Sequence, residues 1–451
     1  MTIIQIRWMS VILIFISILF ITGPGAGKAL ADPLETRTEI EQLRQELKEL
    51  RAHSERMEKK LLDLEVKQKL EETAVQAEKT KNETASLKKD PPPAAKKETI
   101  RVHGAASFGY RYVDHKGESH RDHLGRAAFG HFDIDFDAEI NNILLDAQYR
   151  LYTWDDMIHH ASVGYRFNDA WRVDGGILRV PFGKLPYASH DWWWGIPYYL
   201  GYEDDFDAGV QLSGDFDDWN MKLAFFKNGE YGDPTRTSRY SIDVIQDADS
   251  NQNNMENNQF NLYLTRDVHL GEIFKAELGA SLQWGQLYND ATHENGDHWA
   301  GALHVSADYG PFNLILEGIR YEHDPKNPDG VSNESILLGG QGGSYLTAAK
   351  GWIWDANLLY RKPVDWGPIN AIAFYENYSI LDKDPNGWAS SQINTIGMSF
   401  EASPFYIYMD YTVGKNAIWI GNSTDEPTPM TTGSADAGWN DMFLLEFGYY
   451  F

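Results

Sequence analysis

The feature that most constrains this chain is a period of two that begins near Ile100 and continues to the last residue. In the final segment Phe443, Leu445, Phe447, Tyr449 and Phe451 alternate with Met442, Leu444, Glu446, Gly448 and Tyr450, so one face is wholly apolar and aromatic. Phe132, Ile134 and Phe136 alternate with Asp133, Asp135 and Asp137 in the same way. Trp219, Met221, Leu223 and Phe225 are spaced by Asn220 and Lys222, and Leu303, Val305 and Ala307 by His304, Ser306 and Asp308. These are strands with one greasy and one wet face. Alternation alone does not separate a soluble sandwich from a membrane barrel, because each must bury an apolar face.

The connections separate them. Strands are expected near 100–113, 128–140, 143–153, 158–167, 170–179, 207–215, 218–227, 257–267, 274–287, 298–309, 311–322, 344–361, 369–379, 391–402, 404–414 and 441–451. The links at Asn141-Asn142, Asn168-Asp169, Phe216-Asp217, Gly310 and Ser403 are short, whereas those at 180–206, 228–256, 323–343 and 415–440 are long. Alternating short and long links are the rule for outer-membrane barrels and have no place in a Greek-key sandwich, so the fold expected is an all-β closed transmembrane barrel of about 16 antiparallel strands. Tyr110, Tyr112, Tyr149, Tyr152, Trp154, Trp171, Trp219, Trp299, Trp352, Trp354, Tyr449 and Tyr450 gather at strand ends, where two interfacial girdles would put them.

Upstream of the strands the pattern differs. Residues 1–31 read as a cleavable signal peptide, with Arg7, an apolar run from Val11 to Thr22 and a small-residue end at Ala29-Leu30-Ala31. Residues 32–72 place Ile40, Leu43, Leu47, Leu50, Ser54, Met57, Leu61 and Leu64 three and four apart, a heptad seam that predicts an α-helical coiled coil in the periplasm. Residues 73–99 are rich in Lys, Glu, Thr and Ala, carry Pro91-Pro92-Pro93 and read as a linker; residues 100–451 are the barrel. The chain has no cysteine, which removes disulfides, thiolate metal sites and cysteine nucleophiles together. After the signal no apolar run is long enough for a spanning helix, so a membrane location requires strands.

The segment Gly175-Gly176-Ile177-Leu178-Arg179-Val180-Pro181-Phe182-Gly183, followed by a long connection and Ala208-Gly209-Val210-Gln211-Leu212, resembles outer-membrane porins of the phosphate-selective O and P type. Such porins similarly run from a strand through a Pro-Phe motif into a constriction loop and resume at Gly-Val. Local motif identity spans about residues 172–214, and the architecture spans the barrel. The resemblance implies a channel in the bacterial outer membrane, with lipopolysaccharide as neighbour and a homotrimer as the expected assembly. The terminal Phe451 is implied to aid recognition by the assembly machinery. Anion-selective members are implied to line the pore with Arg and Lys; this chain is acidic instead, so phosphate selectivity is not carried over.

The third long connection, from Pro181 to Phe206, is the expected constriction loop, with Arg179 at its root and Lys184, His190, Trp192, Trp193, Trp194, Glu203, Asp204 and Asp205 within it. A loop folded into a lumen needs apolar side chains against the wall and polar ones toward water. Three consecutive tryptophans point in different directions, which suits packing or a girdle better than a sugar-stacking path. Alternation puts Arg101, His103, Arg111, Arg150, His160, Arg166, Arg172, Lys222, Lys275 and Arg361 inward as pore lining. Asp133, Asp135, Asp137, Glu139, Asp146, Asp174, Glu277, Asp308, Glu317 and Asp355 oppose them. Facing rows of opposite charge orient small polar solutes; the plainer role of each pair is to neutralise its partner in the wall.

Residues 101–451 carry 23 basic and 50 acidic side chains. That balance excludes nucleic-acid binding and favours a pore that is cation-preferring or weakly selective, although part of the acidity, such as Asp243 to Glu256, reads as outside loop screened by divalent ions. No enzyme, cofactor or metal site is expected. His293-Glu294-Asn295-Gly296-Asp297-His298 lacks the spacing that sets two imidazoles on one helix face and reads as loop. Asp247, Asp249, Asn251 and Asn253 open like a calcium loop without its turn glycine or twelfth-position glutamate, and Gly339-Gly340-Gln341-Gly342-Gly343 reads as a flexible loop. Three other readings compete with a cation-preferring or weakly selective channel. One is a mechanical anchor tying the coiled coil to the cell wall; the others are a sheath for an electron-carrying cytochrome and an oxyanion-selective pore.

Overall fold

The computed structural model describes residues 98–113, 118–247, 251–271, 273–420 and 430–451. The signal peptide, the coiled coil and all but the end of the linker lie outside the described residues. Sixteen antiparallel strands form one closed barrel, in which β1 (Thr99–Val113) is bonded both to β2 (Arg126–Ile140) and to the last strand, β19 (Asn440–Tyr450). Between them run β3 (Ile143–Tyr152), β4 (Asp156–Arg166), β5 (Trp171–Arg179), β6 (Phe206–Phe216), β7 (Trp219–Gly229), β9 (Asn254–Leu270) and β10 (Phe274–Asn289). The second half continues with β11 (Glu294–Tyr309), β12 (Phe312–Asp324), β15 (Lys350–Trp366), β16 (Ile369–Lys383), β17 (Ser391–Ala402) and β18 (Phe405–Lys415). Gly104 and Phe451 exchange two backbone hydrogen bonds, of 3.1 and 3.0 Å, and so extend the closing seam beyond β19.

The turns explain why neighbours in sequence are neighbours in space. Asn141 and Asn142 both have positive φ, 52° and 67°, the backbone that a two-residue hairpin turn requires. The turns at 141–142, 167–170, 217–218, 310–311, 367–368 and 403–404 lie at one rim, together with the start of β1 and the end of β19; the long connections lie at the other, along with the shorter links at 153–155 and 290–293. Along the wall Phe136, Leu145, Val163, Val210, Leu223, Phe260, Leu282, Leu303, Ile396 and Phe447 stand exposed on the outside, alternating with inward residues. A water-soluble sheet would bury this band; a hydrocarbon layer matches it.

The core is inside the barrel, in the half nearer the long connections. Loop residues Phe182, Ile196, Tyr198 and Leu200 cluster with wall residues Phe226, Leu287, Ile319 and Ile353. A small sheet completes the cluster: β8 (Asp243–Val244), β13 (Ser335–Gly340) and β14 (Gly343–Ala348), in the order β14-β13-β8. Each large apolar side chain so enclosed contributes roughly 1.5–3 kcal/mol, so the loop and the small sheet form a plug that holds together by the same force as a soluble core.

Several expectations change. The strand expected at 344–361 is two strands, β14 in the plug and β15 in the wall, because the chain turns at Ala349. Gly339 to Gly343 is an ordered hairpin rather than a flexible loop, with Gln341 and Gly342 at φ 53° and 79°. The two ends of the segment expected as outside loop at Asp243 to Glu256 are not loop: Asp243 is buried in β8, and Asn254 to Glu256 already belong to β9. His298 stands within β11, buried and stacked on His323 at 5.7 Å, rather than in a loop. Tyr152, expected in a girdle, pairs with His131 on the inward register and stacks on Trp154 at 5.0 Å.

Candidate functional site

The connection between β5 and β6 crosses the lumen and is fastened to β10, β12, β15, β16 and β18. At its start the Gly183 N–H donates to Ser281 Oγ on β10 at 2.9 Å and the Lys184 N–H to Glu317 Oε1 on β12 at 2.6 Å. The Lys184 ammonium reaches Glu277 on β10 at 3.1 Å. Gly183 has φ 61°, and a Cβ there would lie 2.6 Å from Glu317 Oε1, so this position needs glycine on both counts. Further along, the Asn357 amide of β15 donates to the Ala188 carbonyl. His190 sits between Asn313 Oδ1 at 2.7 Å and Asn377 Oδ1 at 3.3 Å.

The tryptophans diverge. The Trp192 N–H donates to Asp410 on β18 at 2.9 Å, and its ring stacks on Tyr406 at 5.4 Å. Trp193 lies under the guanidinium of Arg111 at 4.9 Å. Trp194 stacks on Tyr198 at 4.3 Å, while its N–H donates to Asp191 Oδ1 at 2.5 Å. The short helix α1 (Ile196–Tyr199) follows, its first N–H capped by Ser379 Oγ of β16 at 2.9 Å. The loop returns through Glu203, Asp204 and Asp205, all buried. Glu203 accepts the Ala188 N–H at 2.8 Å, and Asp204 pairs with Arg179 at 2.9 Å.

Burial sets the charge of these groups. Burial, with Glu317 and Asp355 close by, pushes the Glu203 carboxyl well above its ordinary value, and burial raises Asp191 as well. Burial holds the His190 imidazole below its usual range despite the two asparagine partners. Much of the acidity around the loop is therefore neutral or enclosed.

The inward face of the wall carries charge of both signs. Arg101, Arg111, Arg150, Arg166, Arg172 and Lys222 stand on the inward register with Asp133, Asp135, Asp137, Asp146 and Asp174 across β1 to β7. Most are paired: Arg101 with Asp137, Arg166 with Glu139 at 3.2 Å, Arg172 with Asp174 at 3.1 Å, His160 with Asp146 at 3.1 Å and His131 with Asp133 at 3.2 Å. Across the lumen Asp308, Glu317, Asp355 and Arg361 share the inward register of β11, β12 and β15. Arg361 makes a two-pronged pair with Glu401, at 2.7 and 2.6 Å. Arg111, Arg150 and Lys222 also rest on rings, those of Trp193, Tyr240 and Tyr263.

Sequence reasoning missed two groups here. A bulge between Gln148 and Tyr149 turns His159 as well as His160 inward, where it packs on Phe206 at 4.4 Å and Tyr240 at 4.0 Å. Gln341, at the tip of the β13–β14 hairpin, donates to Tyr198 Oη at 3.0 Å and the Tyr240 carbonyl at 2.7 Å, tying plug to loop. Bulges and contacts between distant loops leave no periodic mark.

The sequence matches no protein-family model and no curated protein. Solved structures do resemble the fold. The outer membrane channel DcaP of Acinetobacter baumannii aligns over 81% of this chain and 100% of its own, at 11% identity and a TM-score of 0.51. An anion-selective porin from Comamonas acidovorans covers 79% of this chain and 100% of its own, at 13% identity and 0.49. OmpT of Vibrio cholerae covers 78% and 99%, at 12% identity and 0.48. The first likeness establishes a shared barrel architecture; at such identity none of the three transfers a solute.

Proposed function

We propose that the chain is an outer-membrane porin, a water-filled channel through which small ions and polar solutes diffuse, weakly selective with a preference for cations. The observation that carries this reading is a closed barrel, apolar outside and charged inside, whose long β5–β6 connection crosses the lumen and is bonded to the opposite wall. Nothing in that design resembles a catalytic constellation, and a fixed loop across a charged lumen is how a diffusion pore sets its size limit. The lumen residues named above would act through the field between wall and loop, and Arg179, Lys184, His190 and the tryptophans would set the narrowest passage. A homotrimer, with the coiled coil reaching into the periplasm, completes the proposal.

The test is single-channel recording from the refolded mature protein in a planar bilayer, with reversal potentials in a potassium chloride gradient. Stable conductance with a modest cation preference is expected; absence of conductance from folded protein refutes the channel. An oxyanion pore is the second reading, supported by Arg111, Arg150, Arg172 and Lys222 on one stretch of wall. A reversal potential of anionic sign selects it instead.

A further inference from the structure

Where the loop rejoins the wall, three aspartates from separate elements converge. Asp205 ends the loop, Asp207 is the second residue of β6, and Asp243 belongs to β8, where it pairs with Gly339. One carboxylate oxygen from each lies within 4.8 Å of the others, and all three side chains are buried, at 6%, 1% and 2% exposure. We propose that this cluster binds a hard divalent cation, calcium in the first instance, which staples the root of the loop to the plug.

Unsatisfied oxygens make this more than a patch of acid. Asp205 Oδ1, Asp207 Oδ1 and Asp243 Oδ1 are each enclosed without a hydrogen-bond partner, as is Oε2 of the neighbouring Glu230, itself 4% exposed. A buried carboxylate oxygen left bare costs several kcal/mol on general grounds, and native proteins fill such gaps with a proton, a water or an ion. The surrounding charge favours the ion. Asp243 is paired with Arg239, and Glu256 and Glu230 lie within electrostatic reach of both. Five carboxyl groups thus share one guanidinium.

The geometry suits calcium. Its oxygen ligands sit at about 2.3–2.6 Å, so ligands on opposite sides of the ion are about 4.6–5.2 Å apart; the 4.8 Å spread of the aspartates fits inside that sphere. A cavity of about 20 Å³ adjoins the cluster, lined by Asp243, Glu256, Arg239 and Gly229, room for roughly one water to complete the shell. Gly229 is part of the cradle, since a Cβ there would meet Asp243 Oδ2 at 2.7 Å. The three aspartates ride on elements fixed by other bonds: the Val180 N–H holds the Asp205 carbonyl at 2.8 Å, and β8 is locked to β13.

The experiment is isothermal titration of calcium chloride into the mature chain, folded in detergent free of lipopolysaccharide and stripped with chelator. One saturable site per barrel is expected, with a Kd on the order of 10⁻³ M or tighter. Asp205→Asn/Asp243→Asn should weaken it at least about ten-fold, whereas Asp329→Asn, at an exposed acid, should leave it unchanged. If the double variant does not fold, Asp207→Asn is read in the same titration with the same expected loss. No saturable binding by the wild-type chain overturns the proposal and leaves protons as the neutralising agent; so does wild-type affinity in the variants. Because the readout is binding, the result stands apart from whether the barrel conducts.

Discussion

Asn377 is the sharpest point at which to test how the loop is held. This residue of β16 is 5% exposed, and its amide donates to Asp191 Oδ2 while its carbonyl oxygen lies 3.3 Å from His190 Nδ1. One wall side chain thus meets two consecutive loop residues just before the tryptophans. Asn377→Ala removes a hydrogen bond to a carboxylate, about 1.5–3 kcal/mol. The neutral imidazole has one N–H, taken by the shorter contact to Asn313, so the His190 side adds no second bond. Water entering the space recovers part, leaving a net loss of about 1–2 kcal/mol. That energy belongs to loop docking rather than to the barrel, because the strand ladder is untouched and Ser281, Ser379 and Asp410 still hold the loop. Local opening should therefore become roughly 5- to 30-fold more frequent. Amide hydrogen exchange reads it directly: the Trp194 N–H, whose acceptor is Asp191, should lose protection by that factor at pH 8. Strand amides in β16 should not change. Protection of Trp194 within about three-fold of wild type would refute the reasoning, and an equal loss throughout the barrel would show that the loop and wall unfold as one unit.

Three further outcomes follow from named contacts. Lys184→Met removes a cation that faces Glu277 at 3.1 Å, so the reversal potential should move toward stronger cation selectivity while the barrel still migrates as folded on an unheated gel. Lowering pH should loosen the loop through His190. Its docked imidazole is held below the undocked value of about 6.5, so the undocked loop binds the proton more tightly. Docking is then full above that value and weakens as pH falls through it, and the trend in Trp192 exchange should flatten in His190→Gln. Deleting Phe451 removes two backbone bonds to Gly104 and a ring stacked on Phe132 at 5.7 Å, so the folded fraction in refolding yields should fall with no change in the conductance of the molecules that close.

The wall was legible in the sequence because its physics is periodic. Each inward or outward position repeats every second residue, and each turn announces itself through residues such as Asn141-Asn142 that tolerate positive φ. The plug was not, because its parts are joined by contacts of no fixed period. Gly339 to Gly343 looks like a flexible linker until Gln341 is seen bonded to Tyr198 and Tyr240, and 344–349 looks like the start of a wall strand until β14 is seen pairing with β13. The aspartate cluster illustrates the limit most plainly. Asp205 and Asp207 are two apart, but Asp243 comes from a connection that nothing in the spacing ties to them. The one calcium-like spacing in the chain, Asp247 to Asn253, lies elsewhere in that connection.

Net charge is the clearest case of a sequence quantity whose meaning the fold changes. The acidic excess of residues 101–451 suggests a strongly cation-selective pore only if those groups meet the permeating ion. Glu203, Asp204, Asp205, Asp207, Glu230 and Asp243 are buried, and a buried group acts on the lumen only through whatever proton, partner or cation neutralises it. The charges left in contact with water include Arg101, Arg172 and Arg361 on one side of the ledger and Asp146, Glu139 and Glu401 on the other, with side-chain exposures of 68%, 45% and 45% against 66%, 38% and 45%. Such a mixed surface produces a transverse field with little net bias. The selectivity expected of the lumen is accordingly weaker than the composition alone implies, and it should respond more to single substitutions at exposed pairs than to removal of any buried acid.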